Sequence, residues 1–233
     1  MSYISHPYLK YPVDDDAVAH DVQLRALLKA TKVWPDDELV LEEFCFPAAG
    51  VRADLVVTGE ALTGFEIKAG RDRMSRLAIQ AQAYSAVCGF ANAVTVPDHV
   101  NDIAHTVPSW WGVWVASGFR SDLAIRCVRR AKPNPGRNAV RLAQILWREE
   151  ATSKLKELGL SKGTASATRA ALAQKVANAL GIDEIDRYVQ TCLRKRPQAE
   201  ARRSLLTAPL KPMKEWKQLT REQWEGYVLG GRR

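Results

Sequence analysis

Several common signatures of function are scarce or missing in this sequence. The four cysteines are scattered and form no C-x-x-C pair, which argues against a zinc site and suits a reducing compartment. The four histidines form no recognised ligand pattern. Walker A, G-x-S-x-G and G-x-G-x-x-G motifs are also missing, which disfavours ATP-driven enzymes, α/β-hydrolases and dinucleotide-binding enzymes.

Long apolar segments are missing as well. No hydrophobic run approaches the roughly 18 residues of a membrane span, and residues 1–12 lack the basic start and apolar centre of a secretory signal. We therefore predict a cytoplasmic protein with no membrane partner. A chain of 233 residues suits one substantial domain with an appendage, or two small domains.

The positive charge of the chain is unevenly distributed. Residues 1–150 carry 17 Lys and Arg against 18 Asp and Glu, whereas residues 151–233 carry 17 against 8, and the whole chain has a net charge of +8. The basic surplus is therefore entirely C-terminal. It predicts a polyanionic partner such as nucleic acid, because neutralisation of phosphates supplies most non-specific affinity. A basic helical tail that is merely solvated is the alternative.

The segment from Val51 to Gly70 predicts a β-hairpin. Residues 51–58 are rich in β-branched side chains, residues 59–64 carry a glycine at each end, and residues 65–69 resume an extended pattern. The rest of the chain is expected to be organised around these two strands.

The predicted hairpin brings two carboxylates and a lysine together. Side chains alternate across a strand, so Glu66 and Lys68 share one face. Asp54 is the lone carboxylate of a strand whose residues 55–57 are all apolar, and such a group needs a partner or a cation. Two converging carboxylates suit a hard divalent cation. Alternatively, Glu66 and Lys68 form a solvated pair and Asp54 caps a turn.

These residues resemble the signature of a known superfamily. Asp54 followed by Glu66-Ile67-Lys68 is similar to the motif of the PD-(D/E)XK nucleases, which have the restriction-endonuclease-like fold; Ala53 replaces the variable proline. The next predicted helix contains Gln80-Ala81-Gln82-Ala83-Tyr84, which is similar to the Gln-x-x-x-Tyr element of RecB-like nucleases. Residues 21–150 resemble a little-characterised bacterial and phage subfamily that carries R-x-D, E-I-K and P-x-W-W-G segments. The last of these segments is similar to Pro108-Ser109-Trp110-Trp111-Gly112.

The resemblance implies a Mg²⁺-dependent nuclease that hydrolyses phosphodiester bonds, with DNA as the expected substrate and Mn²⁺ as a substitute ion. Asp54, Glu66 and the backbone carbonyl of Ile67 would hold the ion. Lys68 would position the attacking water and offset charge in the transition state, and Gln80 would orient that water or a phosphate oxygen. Cleavage of both strands with one centre per chain would favour a homodimer.

The resemblance also implies a third acid from the region before the first hairpin strand. Asp21, in a predicted helix over residues 14–31, is the candidate, and it is assigned to the metal with Asp54 and Glu66. Glu42 and Glu43, at the end of a predicted strand over residues 39–46, are the competitors. Strand alternation places the two glutamates on opposite faces, so at most one can face the metal.

Six basic residues are predicted to contact phosphates. Three cluster at the start of the helix predicted over residues 71–89, close to the end of the Lys68 strand, and three lie at the end of the last predicted helix. They are Arg71, Arg73, Arg76, Arg194, Lys195 and Arg196.

The predicted fold class is α/β, with a restriction-endonuclease-like mixed central sheet flanked by helices in the order αβββαβ and a C-terminal helical extension. Residues 1–132 are predicted to form the nuclease-like core and residues 133–233 a basic helical extension with a flexible C-terminal tail. A linker is placed at residues 132–137 because it contains two prolines and a glycine. The helices beyond it are predicted over residues 140–158, 164–180 and 183–194, as a lid or clamp beside the core.

Two other functions fit the same sequence. The fold would serve as a non-cleaving module that binds DNA or recruits a partner protein, although the intact set of two acids and a lysine argues against this. A protein of a phage or mobile element that acts on another protein would show no salt-sensitive affinity for DNA.

Overall fold

A computed structural model of the protein describes residues 21–31, 33–47, 49–69, 74–118 and 123–196. Six strands form one sheet in the order β1 to β6: Val40–Phe46, Val51–Val57, Thr63–Lys68, Phe90–Thr95, Gly112–Ser117 and Ala124–Arg129. Among the described residues seven α-helices accompany them, α1 to α7: Asp21–Ala30, Leu77–Val87, Val100–Thr106, Ala139–Ala143, Arg148–Glu157, Arg169–Ala179 and Ile182–Lys195. Within these ranges every helix is too short or too polar to cross a bilayer.

The sheet is mixed. Strands β1, β2 and β3 pair antiparallel, β3, β4 and β5 pair parallel, and β6 returns antiparallel to β5. The chain connects β3 to its parallel neighbour β4 through α2, as a parallel pair requires a long crossover. The predicted α/β class is thereby confirmed. The elements α1 to β4 follow the order αβββαβ, then come α3, β5 and β6, and α4 to α7 form a C-terminal helical region.

Both faces of the sheet are covered by helices, and alternate residues of β2 therefore pack into two different hydrophobic clusters. Leu55 and Val57 face α1, where they pack with Leu24 and Leu28. Val56 faces the opposite side, where α2 and the C-terminal helices form a second hydrophobic cluster with the sheet. An apolar strand buried on both faces explains the continuous run of hydrophobic residues after Asp54.

The predicted linker is bound to the core. The Lys132 amide donates to the Trp110 carbonyl at 2.7 Å, and the Asn134 side chain donates to the Ser85 and Cys88 carbonyls at 2.7 and 2.8 Å. One hydrophobic cluster includes residues on both sides of this segment. The predicted boundary at residue 132 thus lies inside a continuous core, and the predicted tail over residues 197–233 lies outside the described residues.

Helix α7 is joined to the turn between β2 and β3 by buried polar groups. The buried Asp186 carboxylate accepts from the Leu62 amide at 3.3 Å and from the Arg137 guanidinium. The Gln190 side chain accepts from the Gly59 amide at 2.7 Å and donates to Asp186 at 2.9 Å. The C-terminal helix therefore supplies the hydrogen-bond acceptors of the hairpin turn.

Two predicted helices are corrected at their ends. The single helix predicted over residues 140–158 is divided into α4 and α5, because Trp147 is extended and its amide donates to the Glu150 carboxylate at 2.7 Å, which starts a new helix. The last helix, predicted to begin at Asp183, begins one residue earlier at Ile182. It follows Gly181, whose amide donates to Glu184 at 3.0 Å.

Candidate active site

The site begins where the pairing of β2 with β3 ends. Leu55 and Phe65 are the last paired residues, and beyond them the Asp54 Oδ2 atom accepts from the Ile67 amide at 2.7 Å. A carboxylate thus replaces a backbone carbonyl in the ladder. This arrangement holds Asp54 against the Glu66-Ile67-Lys68 segment, as the hairpin pattern predicted.

Glu66 and Lys68 project from the same face of β3 and are both buried, at 1% and 5% exposure. The Lys68 ammonium donates to Glu66 Oε1 in a salt bridge. The Tyr84 hydroxyl, on α2, lies 2.8 Å from Glu66 Oε2 and 3.0 Å from the Phe65 carbonyl. The alternative in which Glu66 and Lys68 form a solvated pair is therefore wrong.

Burial disfavours the charge on both carboxylates, and nearby negative charge adds to this effect at Asp54. The pKa of Asp54 is raised to about 7, chiefly by burial and then by the charges of Glu66 and Asp21, against the opposing effects of the Ile67 amide and Arg25. Burial also raises the pKa of Glu66, although hydrogen bonds from Lys68, Tyr84 and Gln80 oppose it. A cation between the two carboxylates would relieve this repulsion.

Gln80 lies one helical turn before Tyr84 on α2 and reaches the same centre. Its side chain hydrogen-bonds to Glu66, while its Oε1 atom is buried without a partner among the described residues. A buried amide oxygen without a hydrogen bond is unusual in a native protein. This oxygen is the acceptor that the predicted role of Gln80, orienting a water, requires.

The predicted third acid contacts an arginine. Arg25 of α1 donates through Nη2 to Asp21 at 3.0 Å and to Asp54 at 3.4 Å. Its Nη1 atom lies 2.8 Å from Glu43 and 3.5 Å from Glu42. The expectation that only one of the two glutamates can face this centre is wrong, because Glu43 has a left-handed φ of 51° that interrupts the alternation of β1.

The donor set fits a hard divalent ion in part. Two repelling carboxylates, on Asp54 and Glu66, and the carbonyl of Ile67 between them supply the oxygen ligands that Mg²⁺ prefers. Within the described ranges, however, no three acidic, histidine or cysteine side chains are arranged around one metal position. Asp21 pairs with Arg25 at 3.0 Å, and its predicted role as a metal ligand stays a prediction.

The predicted phosphate contacts differ in their availability. Arg71 and Arg73 lie outside the described residues. Arg76 is exposed at the start of α2, and Lys195 is exposed at the end of α7. The other two predicted contacts are corrected because their guanidinium groups are already satisfied: Arg194 pairs with Glu38, and Arg196 pairs with Glu150 at 2.7 Å.

Arg25 is the site residue that the sequence did not predict. Its signal was available, since a basic residue stands in the apolar stripe of a helix, four positions after Asp21. The side chain is only 12% exposed. A buried guanidinium requires acidic partners, and Asp54 was the carboxylate of the predicted hairpin that needed a cationic partner.

We expect the substitution Asp54→Asn to stabilise the metal-free protein at pH 8. The pKa of Asp54 in the folded protein, about 7, lies above its ordinary value of 3.8. Between pH 3.8 and 7 Asp54 is therefore protonated in the folded state and ionised in the unfolded state. Above pH 7 it is ionised in both states, and its buried charge destabilises the fold. The gain should be about 4 kcal/mol at pH 8 and fall below about 1 kcal/mol near pH 4. Urea unfolding in EDTA at several pH values measures it.

The asparagine can keep the hydrogen bond from the Ile67 amide, so the comparison isolates the charge. Glu60→Gln, at an exposed position in the turn between β2 and β3, is the control and should change the free energy of unfolding by less than about 0.5 kcal/mol. An Asp54→Asn protein that is less stable than the wild type at pH 8 would contradict the expectation.

Comparisons with known proteins give one family and one solved structure. The family model of bacteriophage P4 protein cII matches residues 23–219, more than four fifths of the chain. A protein of unknown function from Silicibacter pomeroyi is similar in structure, with a TM-score of 0.33 and 18% identity over 56% of this chain and 84% of that one. A comparison with curated proteins finds no match. The family match covers the sheet, the candidate site and all of α2 to α7, and the chain therefore belongs to the bacteriophage P4 protein cII family.

Proposed function

We propose that this protein is a Mg²⁺-dependent nuclease of the PD-(D/E)XK kind that hydrolyses phosphodiester bonds in DNA. One observation carries the proposal: Asp54, Glu66 and Lys68 converge from adjacent strands, with Asp54 bound to the Ile67 amide and Lys68 bound to Glu66. Activity in the cytoplasm is part of the proposal, as is assembly into a homodimer for cleavage of both strands.

The residues of the site have separate roles. Asp54, Glu66 and the Ile67 carbonyl would hold Mg²⁺, which supplies a Lewis acid for the phosphoryl oxygen and an activated water. The buried Lys68 ammonium offsets negative charge as it develops on the phosphate. The unpartnered Gln80 Oε1 accepts a hydrogen bond from the attacking water and so fixes its direction.

The charge of the chain supports a nucleic-acid substrate. Residues 151–233 carry nine more basic than acidic side chains, and the exposed Arg76 and Lys195 are the described members of the predicted phosphate-contact set that remain available. Because phosphate neutralisation releases counterions, affinity for DNA should fall steeply between low and high salt.

A non-cleaving DNA-binding module is the second candidate, and a specific observation favours it. The protein's own cations already satisfy the carboxylates of the site: Lys68 pairs with Glu66, and Arg25 pairs with Asp54. These ion pairs occupy carboxylate oxygens that a metal ion would need. This candidate predicts salt-sensitive DNA binding without cleavage by any divalent ion.

A cleavage assay decides between the two candidates. Wild-type protein is incubated with plasmid, linear and branched DNA in Mg²⁺, Mn²⁺ or EDTA, and binding is measured on the same substrates in Ca²⁺. Cleavage that requires Mg²⁺ or Mn²⁺ is expected, and Glu66→Gln should abolish it while DNA binding persists. DNA binding without cleavage of any substrate would contradict the nuclease and support the non-cleaving DNA-binding module. A protein that shows no salt-sensitive DNA binding would contradict both candidates and support a protein that acts on another protein.

Asp21→Asn should reduce cleavage, whereas Glu42→Gln should not. Asp21 and Asp54 share the Nη2 atom of Arg25, so loss of the Asp21 charge changes how Arg25 holds Asp54. Glu42 is satisfied by Lys29 and lies 3.5 Å from Arg25. Loss of a residue that orients a metal ligand typically costs about 10-fold or more in activity. Single-turnover rates of both variants test the ranking, and the reverse order would mean that Glu42 is the third acid.

A further inference from the structure

The connection between α5 and α6 forms a basic surface that contains no acid. Residues 158–182 include three lysine or arginine residues and no aspartate or glutamate. A depression of about 350 Å³ lies on this surface and is lined by six residues: Gly159, Leu160, Lys162, Lys175, Asn178 and Ala179. Five of the six are exposed, and Lys175 is half-buried. The depression is therefore open to solvent and carries two lysines.

Hydrogen bonds fix the donors of this depression. The Lys175 ammonium donates to the Lys162 carbonyl at 2.8 Å and lies 3.6 Å from the position that a Cβ atom on Gly163 would take. An ammonium group carries three donors, and this bond uses one of them. Asn178 accepts from Gln174 through its Oδ1 atom at 2.9 Å, so the acceptor of that amide is occupied. The side chains thus present donors and positive charge.

The loop that carries Lys162 is also fixed. The Thr164 hydroxyl donates to the Ser161 carbonyl at 2.8 Å, and Thr164 is buried. The Arg148 guanidinium donates to the Ala165 carbonyl at 2.6 Å, which holds the loop against the start of α5. A ligand that binds such a preformed loop pays little for ordering it.

The C-terminal ends of α5 and α6 adjoin the same depression and weaken its positive potential without reversing it. Each helix end acts as about −0.5 of a charge, so together they contribute about −1. The two lysines contribute +2. Glu157, in the last turn of α5, is neutralised by Lys154 at 2.7 Å. The remaining charge is positive and favours an anion.

We infer that this depression, the α5–α6 basic site, binds a backbone phosphate of DNA. The inference rests on the proposed function because it takes DNA as the partner, although it does not require cleavage. Sites for small molecules enclose most of their ligand, whereas this open site suits a phosphate that belongs to a long polymer. Leu160 is 47% exposed and offers an apolar contact to the adjoining deoxyribose.

The α5–α6 basic site is built from different elements than the candidate active site. Helix α6 packs on α4, α5 and α7, whereas the candidate active site is built from α1, β2, β3 and α2. A phosphate at the basic site would therefore anchor a part of the DNA other than the phosphate that is cleaved.

Removal of both lysine charges should weaken DNA binding by about 5- to 10-fold and lower the slope of log affinity against log salt by about 1 to 2. The variant is Lys162→Gln combined with Lys175→Gln in the full-length protein. Fluorescence anisotropy of a labelled DNA duplex in Ca²⁺, over a series of NaCl concentrations, measures both quantities. The matched control, Arg130→Gln combined with Lys132→Gln, removes the same charge from exposed positions after β6 and should lower the slope by less than about 0.5.

Two single variants keep the test decisive if the double variant folds poorly. Lys162→Glu leaves the backbone carbonyl that Lys175 contacts and should weaken binding by at least about 5-fold. Lys175→Arg keeps the charge and should bind DNA within about twofold of the wild type. Unchanged affinity in Lys162→Glu would overturn the inference. Equal losses in the double variant and its control would do the same, because the effect would then follow net charge alone.

The outcome separates this inference from the proposed nuclease. Cleavage by the wild type together with unchanged DNA binding by Lys162→Glu would remove the inference and leave the nuclease. Weakened binding by both Lys162 variants, with no cleavage of any DNA by the wild type, would remove the nuclease and leave the α5–α6 basic site.

Discussion

Replacing Lys68 with methionine should lower Mg²⁺-dependent cleavage by at least about 100-fold. The ammonium of Lys68 is buried and bound to Glu66, so it is fixed beside the two carboxylates before any substrate arrives. A positioned charge of this kind stabilises the transition state without reorganisation, which is why its loss affects the rate more than the binding of substrate. Methionine fills a similar volume and limits the change to the charge.

The measurement is the single-turnover rate on the best DNA substrate, with DNA affinity measured in Ca²⁺. Lys154→Met is the matched control, because Lys154 also pairs with a glutamate, Glu157, but on α5. It should cleave at the wild-type rate. Circular dichroism verifies that the Lys68 variant is folded, since Glu66 loses its ionic partner. A folded variant as active as the wild type would remove Lys68 from the mechanism.

Replacing Arg137 with methionine should destabilise the protein by about 3 to 5 kcal/mol. Arg137 is the ionic partner of Asp186, whose carboxylate is 2% exposed and also accepts from Leu62 and Gln190. Removal of one member of a buried ion pair leaves the other charge without compensation, which is strongly destabilising. Burial already raises the pKa of Asp186, so the substitution should raise that pKa further.

Asp183 provides a direct comparison within the same network. It pairs with the same guanidinium as Asp186, but its side chain is 79% exposed. Because exposed ion pairs contribute little, Asp183→Ala should cost less than about 1 kcal/mol. Urea unfolding of the two variants measures the difference in their free energies of unfolding. Similar losses of stability for both variants would show that the buried ion pair contributes no more than the exposed one.

The hairpin and its polar set were predictable because they depend on local pattern. Alternation with a period of two places Glu66 and Lys68 on one face wherever β3 forms, and the apolar residues after Asp54 specify a strand buried on both faces. The order of the elements followed from the same signals. For these reasons the sheet and the convergence of Asp54 with Glu66 and Lys68 were predicted from the sequence.

The corrected features depend on contacts between distant segments or on backbone exceptions. The left-handed conformation of Glu43 has no signal in a strand sequence, and it brings a second glutamate to Arg25. Arg194 looked available for phosphate because its partner, Glu38, lies 156 residues away in the chain. Sequence spacing identifies charged residues but not the ion pairs that satisfy them.

The link between α7 and the hairpin turn has a consequence for biosynthesis. The amides of Gly59 and Leu62 donate to Gln190 and Asp186, more than 120 positions later. A nascent chain on the ribosome therefore holds an incomplete turn beside β2 and β3 until the last described helix has emerged. Premature termination within α7 would release a polypeptide whose proposed catalytic strands lack this support.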